Sequence, residues 1–87
     1  EVRGHVDEAY EYSKRAVGIY QTNLKPDSPK VAAALSNLAE ICQKKNHHQE
    51  AKQNYQQGLE IARKSGGIDS PLYIKIKSNL DGLKERA

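Results

Sequence analysis

Residues 4–45, GHVDEAYEYSKRAVGIYQTNLKPDSPKVAAALSNLAEICQKK, and residues 46–87, NHHQEAKQNYQQGLEIARKSGGIDSPLYIKIKSNLDGLKERA, are two copies of one 42-residue pattern. Without a gap, His5, Glu8, Ala9, Ile19, Asp27, Ser28, Pro29, Ser36, Asn37 and Leu38 recur as His47, Glu50, Ala51, Ile61, Asp69, Ser70, Pro71, Ser78, Asn79 and Leu80. Ten identities in one register mark an internal repeat. A unit of this length cannot bury its apolar face alone and does so by stacking on neighbours, which builds binding surfaces more often than catalytic pockets.

Within each copy the apolar residues recur at spacings of three and four, which predicts helices. The first spans residues 5–24, with Ala9, Tyr12, Ala16, Ile19 and Tyr20 on one stripe. Ser28 and Pro29 then start a second helix, running to about Lys45, because a serine oxygen can cap an orphan amide and a proline at the first position has none to satisfy. It aligns Val31, Ala34, Leu35, Leu38, Ile41 and Cys42, and Asn46 is the turn after it. A third helix, from His47 to Ser65, carries Ala51, Tyr55, Gly58, Leu59 and Ala62, and Gly66 and Gly67 end it. Gly58 costs about 1 kcal/mol against alanine in mid-helix, so it marks a close helix crossing. Ser70 and Pro71 open a fourth helix over residues 71–85, with Tyr73, Ile76, Leu80 and Leu83 in step. Where the earlier copy has Leu35, Ala39 and Cys42, this helix has Lys77, Asp81 and Lys84, so one of its sides is expected to face water as a cap.

The 87 residues are read as one all-α domain whose stability margin is small. No apolar run approaches the roughly 20 residues of a membrane span, and nothing at the start reads as a signal peptide, so a cytoplasmic protein is expected. The one cysteine, Cys42, reads as a small buried residue. A net charge of +3 invites nucleic acid as a partner. However, Lys44, Lys45, Arg63, Lys64, Lys84 and Arg86 fall at expected helix C-termini, where they complement the helix dipole, and no basic stripe remains. His5 with Glu8, and His47 with Glu50, are the only hint of chemistry. Two ligands do not make a zinc site, so no metal, cofactor or catalytic residue is assigned, and an enzyme is not expected.

The chain resembles the tetratricopeptide repeats, and among them the 42-residue variety of kinesin light chains. The first helix of such a repeat reads roughly Val-Ala-x-x-Leu-x-Asn-Leu-Ala, matched by Val31, Ala32, Leu35, Asn37, Leu38 and Ala39. The second is matched by Glu50, Ala51, Tyr55, Leu59 and Ile61, with Asn46 at a glycine position and Gly58 at an alanine. The Asp-Ser-Pro junctions resemble the Asp-His-Pro that joins repeats of that kind. The resemblance implies an antiparallel helix-turn-helix α-solenoid. In that layout the chain opens on a second-type helix (5–24), holds one complete repeat (29–65) and closes on a first-type helix (71–85). Such a layout suggests a piece of a longer array, or a module whose end a partner covers.

The resemblance also implies that an extended peptide lies in a concave groove lined by the first-type helices, the second and fourth here. Asn37 and Asn79 recur one repeat apart, and an asparagine can donate to one bare peptide group and accept from another. They are the leading candidates, although the same asparagines could serve only to fix the repeat geometry. Ala33, Ser36, Glu40, Gln43 and Lys44 on the second helix, and Lys75, Ser78 and Gly82 on the fourth, are placed around them. Lys75 and Lys44 point to an acidic peptide segment of a protein partner, with adaptor or motor-cargo work as the family version. The alternative is structural: a packing piece that self-associates, as a homo-oligomer, through an open first helix at Tyr10, Val17 and Ile19. Tyr20, Tyr55 and Tyr73 are expected to pack.

Overall fold

A computed structural model describes residues 2–86, with side chains described from Gly4 to Leu83. Four helices follow in order: α1 (Val2–Asn23), α2 (Pro29–Lys44), α3 (His48–Gly66) and α4 (Pro71–Arg86). Among the described residues there is no strand. The expected boundaries hold within one or two residues, except that α1 begins three residues early.

Local chemistry sets the helix ends. Ser28 caps α2 by accepting from the Lys30 amide at 3.3 Å, and Ser70 caps α4 by accepting from the Tyr73 amide at 3.1 Å. Asn46 turns the chain between α2 and α3 at φ 63°, a left-handed conformation that asparagine tolerates better than most residues, which explains why it can stand at a glycine position. Gly67 does the same at φ 83°, with its amide bonded to the Arg63 carbonyl at 2.9 Å.

The helices stack in chain order, each packed on its neighbour in sequence. The α2–α3 hairpin forms the centre. Asn54 Nδ2 lies 3.8 Å from Cys42 Sγ, and Tyr55 donates its hydroxyl to Gln43 Oε1 at 2.6 Å, which sets the antiparallel register. At Gly58 these helices approach closely: a Cβ there would stand 3.2 Å from the Ala32 carbonyl oxygen and 3.5 Å from Leu35 Cβ. That bears out the close crossing expected from its cost in a helix.

Because α2 lies between α1 and α3, it is buried on two sides, and Val31, Ala32, Ala34, Leu35, Leu38, Ala39 and Cys42 all belong to the core. From α3 come Ala51, Tyr55 and Ala62, and from α4 come Ile76, Leu80 and Leu83. Lys77 and Asp81 are exposed and pair with each other at 3.4 Å, as expected of a helix side facing water; Lys84 lies outside the residues whose side chains are described.

The structure corrects the reading of α1. Its stripe of Ala9, Tyr12, Ala16, Ile19 and Tyr20 turns away from the core, leaving Tyr12 65% and Ile19 57% exposed, and Tyr20 is exposed rather than packed. Val17, expected on an open face, is only 7% exposed and sits in the core, with the half-buried Tyr10 and Leu24 packed against it. The reason lies in the repeat. Residues of this stripe correspond to Ala51, Asn54, Gly58, Ile61 and Ala62 of α3, a set that includes Asn54 and Gly58, two of the positions that meet α2. Among the described residues α1 has no helix in the place that α2 takes beside α3.

Candidate functional site

α2 and α4 are the two capped, proline-started helices, one repeat apart and running the same way, so their equivalent positions line up side by side. On α2, Ala33, Asn37, Glu40 and Lys44 fall on one stripe at spacings of four, three and four, clear of the faces given to α1 and α3. Lys75, Asn79 and Gly82 repeat the first three of these positions on α4. Among the described residues one side-chain hydrogen bond joins the two stripes: Asn79 donates from Nδ2 to Glu40 Oε1 at 3.5 Å.

Asn37 and Lys44 are exposed on this surface, as is Lys75, while Ala33, Glu40 and Asn79 are half-buried. Asn37 makes no side-chain hydrogen bond to another described residue, so both its amide donor and its carbonyl acceptor are open to a ligand. Asn79 still has its carbonyl oxygen, because only its amide is directed to Glu40. The arrangement offers hydrogen-bond donors and acceptors flanked by two cations, with the Glu40 carboxylate between them.

Three of the residues expected here lie elsewhere. Ser36 is 1% exposed, inside the core, and its hydroxyl has no hydrogen-bond partner. A side chain so placed cannot touch a peptide. Gln43 accepts the Tyr55 hydroxyl and thereby serves the α2–α3 hairpin. Ser78 is exposed but lies on the outer flank of α4, in a shallow groove with Ile68, Tyr73, Ile74, Lys77, Asp81 and Gly82. A surface cleft of near 630 Å³ is also elsewhere, between the turn after α1 and the outer side of α3, lined by Pro26, Asp27, Gln57, Glu60, Ile61 and Lys64.

A polar junction that the sequence did not announce ties α1 to the start of α3. Tyr10 donates its hydroxyl to the Glu50 carboxylate at 2.8 Å, and His47 meets the Tyr10 ring edge-on with centroids 5.9 Å apart. The ammonium groups of Lys14 and Lys45 each stand 5.0 Å from the centre of the same ring, and Lys45 also pairs with Asp7. The Glu50 hydrogen bond, with burial second, raises the Tyr10 hydroxyl from 10.0 to about 12. His47 Nδ1 is 3.6 Å from Glu50 Oε1, and through Tyr10 this pair of the second copy reaches α1. Among the described residues no group of three His, Cys, Asp or Glu side chains could hold a metal ion, and no helix is long and apolar enough to cross a membrane.

No curated protein matches the chain at a significant level. The sequence profile of the family described as Tetratricopeptide repeat matches residues 2–80, which takes in α1, α2, α3 and most of α4. Repeats of this family generally mediate protein–protein interaction and are typically non-catalytic. The two-copy pattern, the antiparallel α2–α3 hairpin and this match together make the chain a member of the tetratricopeptide repeat family.

Proposed function

We propose that the chain is a protein-interaction module that holds a short extended segment of a partner across the stripes of α2 and α4, in the manner of an adaptor. The observation that carries this reading is the open amide of Asn37 on α2 together with Asn79, its counterpart on α4, which is tied to the α2 stripe through Glu40; both side chains are able to bond main-chain amides and carbonyls. Lys44 and Lys75 favour carboxylates at the ends of such a segment, and Glu40 between them favours a donor in its middle. An acidic peptide interrupted by a serine, threonine or amide side chain is therefore the ligand of choice. The 42-residue spacing and the Asp-Ser-Pro junctions support a likeness to kinesin light chains, and with it motor-cargo adaptor work in the cytoplasm.

The test is fluorescence anisotropy against an array of labelled acidic peptides, using the unchanged chain and an Asn37→Ala, Asn79→Ala variant of equal melting temperature. The variant is expected to bind at least about tenfold more weakly, the equivalent of about 1.4 kcal/mol spread over two lost hydrogen-bonding side chains. Equal binding by both chains would remove the asparagines from the contact.

A further inference from the structure

Glu40 is the only acid on the two stripes among the described residues, and its 42-residue counterpart on α4 is Gly82, which has no side chain. It is half-buried, and its Oε1 accepts from Asn79 Nδ2 across the junction of α2 and α4. Among the described residues its Oε2 has no hydrogen-bond partner and no ion pair neutralises it. The Glu40 charge also reaches the buried Tyr55 hydroxyl, where it adds to the larger effect of burial. That hydroxyl is given to Gln43 at 2.6 Å and so brings Glu40 no proton. The carboxylate is left with one oxygen spent on Asn79 and one to spare.

An amide side chain can offer a ligand either its donor or its acceptor end, and whatever holds one end decides which is free. Asn37 is held by no other described side chain and can turn either end outward. Asn79 is held by its nitrogen, which leaves its carbonyl oxygen without a partner. Resting on the peptide reading, we infer that Glu40 is the specificity-determining residue of this site. It fixes the Asn79 amide so that the junction of the stripes presents the Asn79 carbonyl oxygen beside its own free carboxylate oxygen. A segment passing there has to bring donors: a main-chain N–H for Asn79, and a hydroxyl, amide or ammonium group for Glu40. An aspartate or glutamate at that place sets a like charge against a half-buried carboxylate, where water and salt screen it less than on an open surface. Lys44 and Lys75, one turn away on their own helices, accept carboxylates to either side.

The contact with Asn79 is tested in the free chain by nuclear magnetic resonance. Glu40→Ala is expected to shift the side-chain amide resonances of Asn79 and to leave those of Asn37 in place. Unmoved Asn79 resonances overturn the inference, because Glu40 then fixes nothing.

Selection is tested with pairs of labelled acidic peptides that differ at one central position, serine in one and glutamate in the other. The unchanged chain is expected to prefer serine by at least about tenfold in the pairs that bind. Glu40→Gln keeps the length of the side chain and an oxygen for Asn79 but removes the charge. It is expected to bind both members of a pair within about threefold, with its fold checked by circular dichroism. A serine preference that survives intact in Glu40→Gln overturns the inference and leaves the peptide reading standing. Failure of the unchanged chain to bind any acidic peptide overturns the peptide reading, and the inference falls with it.

Discussion

Ser36 and Ser78 are the same residue at equivalent places in the two copies, and their surroundings differ completely. α3 covers one side of α2 and encloses Ser36, whereas among the described residues nothing covers the corresponding side of α4, and Ser78 meets water. The Ser36 hydroxyl, buried without a partner, sets a cost of desolvation against the fold. Ser36→Ala removes the oxygen, fits the same space and has the better helix propensity. It is expected to stabilise the chain by about 1 kcal/mol, read as a higher urea midpoint with an unchanged slope. A lower midpoint would mean that the hydroxyl does find a partner. Asn37 and Asn79 show the same divergence. The repeat made them look alike, yet one is open and the other is held by Glu40.

At the scale of the helix, the start and stop signals were legible because they act within a few residues. A serine oxygen, a proline ring and a left-handed asparagine or glycine act on their own backbone, whatever packs around them. Ser70→Ala is expected to cost about 1 kcal/mol, and Ser28→Ala no more than that, because its acceptor distance is longer. Chemical denaturation of the two variants and of Ser70→Gly checks it: glycine should recover most of the loss, and an unchanged Ser70→Ala midpoint would show the cap to be idle. The faces of the helices were less legible. On α1 two apolar stripes compete, one through Ala9, Tyr12, Ala16 and Ile19 and one through Tyr10 and Val17, and periodicity ranks the wrong one first. On α2 no single stripe could be correct, since both Ala32 with Ala39 and Ala34 with Leu38 are buried on different sides.

In the whole molecule the joints between helices share a chemical property. Tyr10 links α1 to α3, Tyr55 links α3 to α2, and Cys42 lies within the hairpin. Burial carries the Tyr55 hydroxyl from 10.0 to about 12 and the Cys42 thiol from 9.0 to about 11, and the Glu50 hydrogen bond carries Tyr10 to about 12. In each case the folded state holds the proton more tightly than the unfolded chain does. The stability that this supplies is complete below pH 9, where both states keep their protons, and is lost as the pH rises through 9 to 12. The melting temperature is expected to stay level up to about pH 9 and then fall. A Tyr10→Phe, Tyr55→Phe chain should lose part of that slope in thermal melts followed by circular dichroism. A melting temperature that is level to pH 12 would contradict the assignment.

The sequence by itself determined the repeat, the four helices, their caps and turns, and the family, because each of these rests on residues that act on near neighbours or on a pattern repeated along the chain. Tertiary structure alone decided which residues of a repeated pair are available. Neighbouring helices bury Ser36 and expose Ser78, turn Tyr12 and Ile19 outward while drawing Val17 in, and place Gln43 under Tyr55 and out of the candidate groove. A repeated residue inherits its direction from the helix that carries it and its environment from the helices on either side. Those neighbours differ at the two ends of the stack.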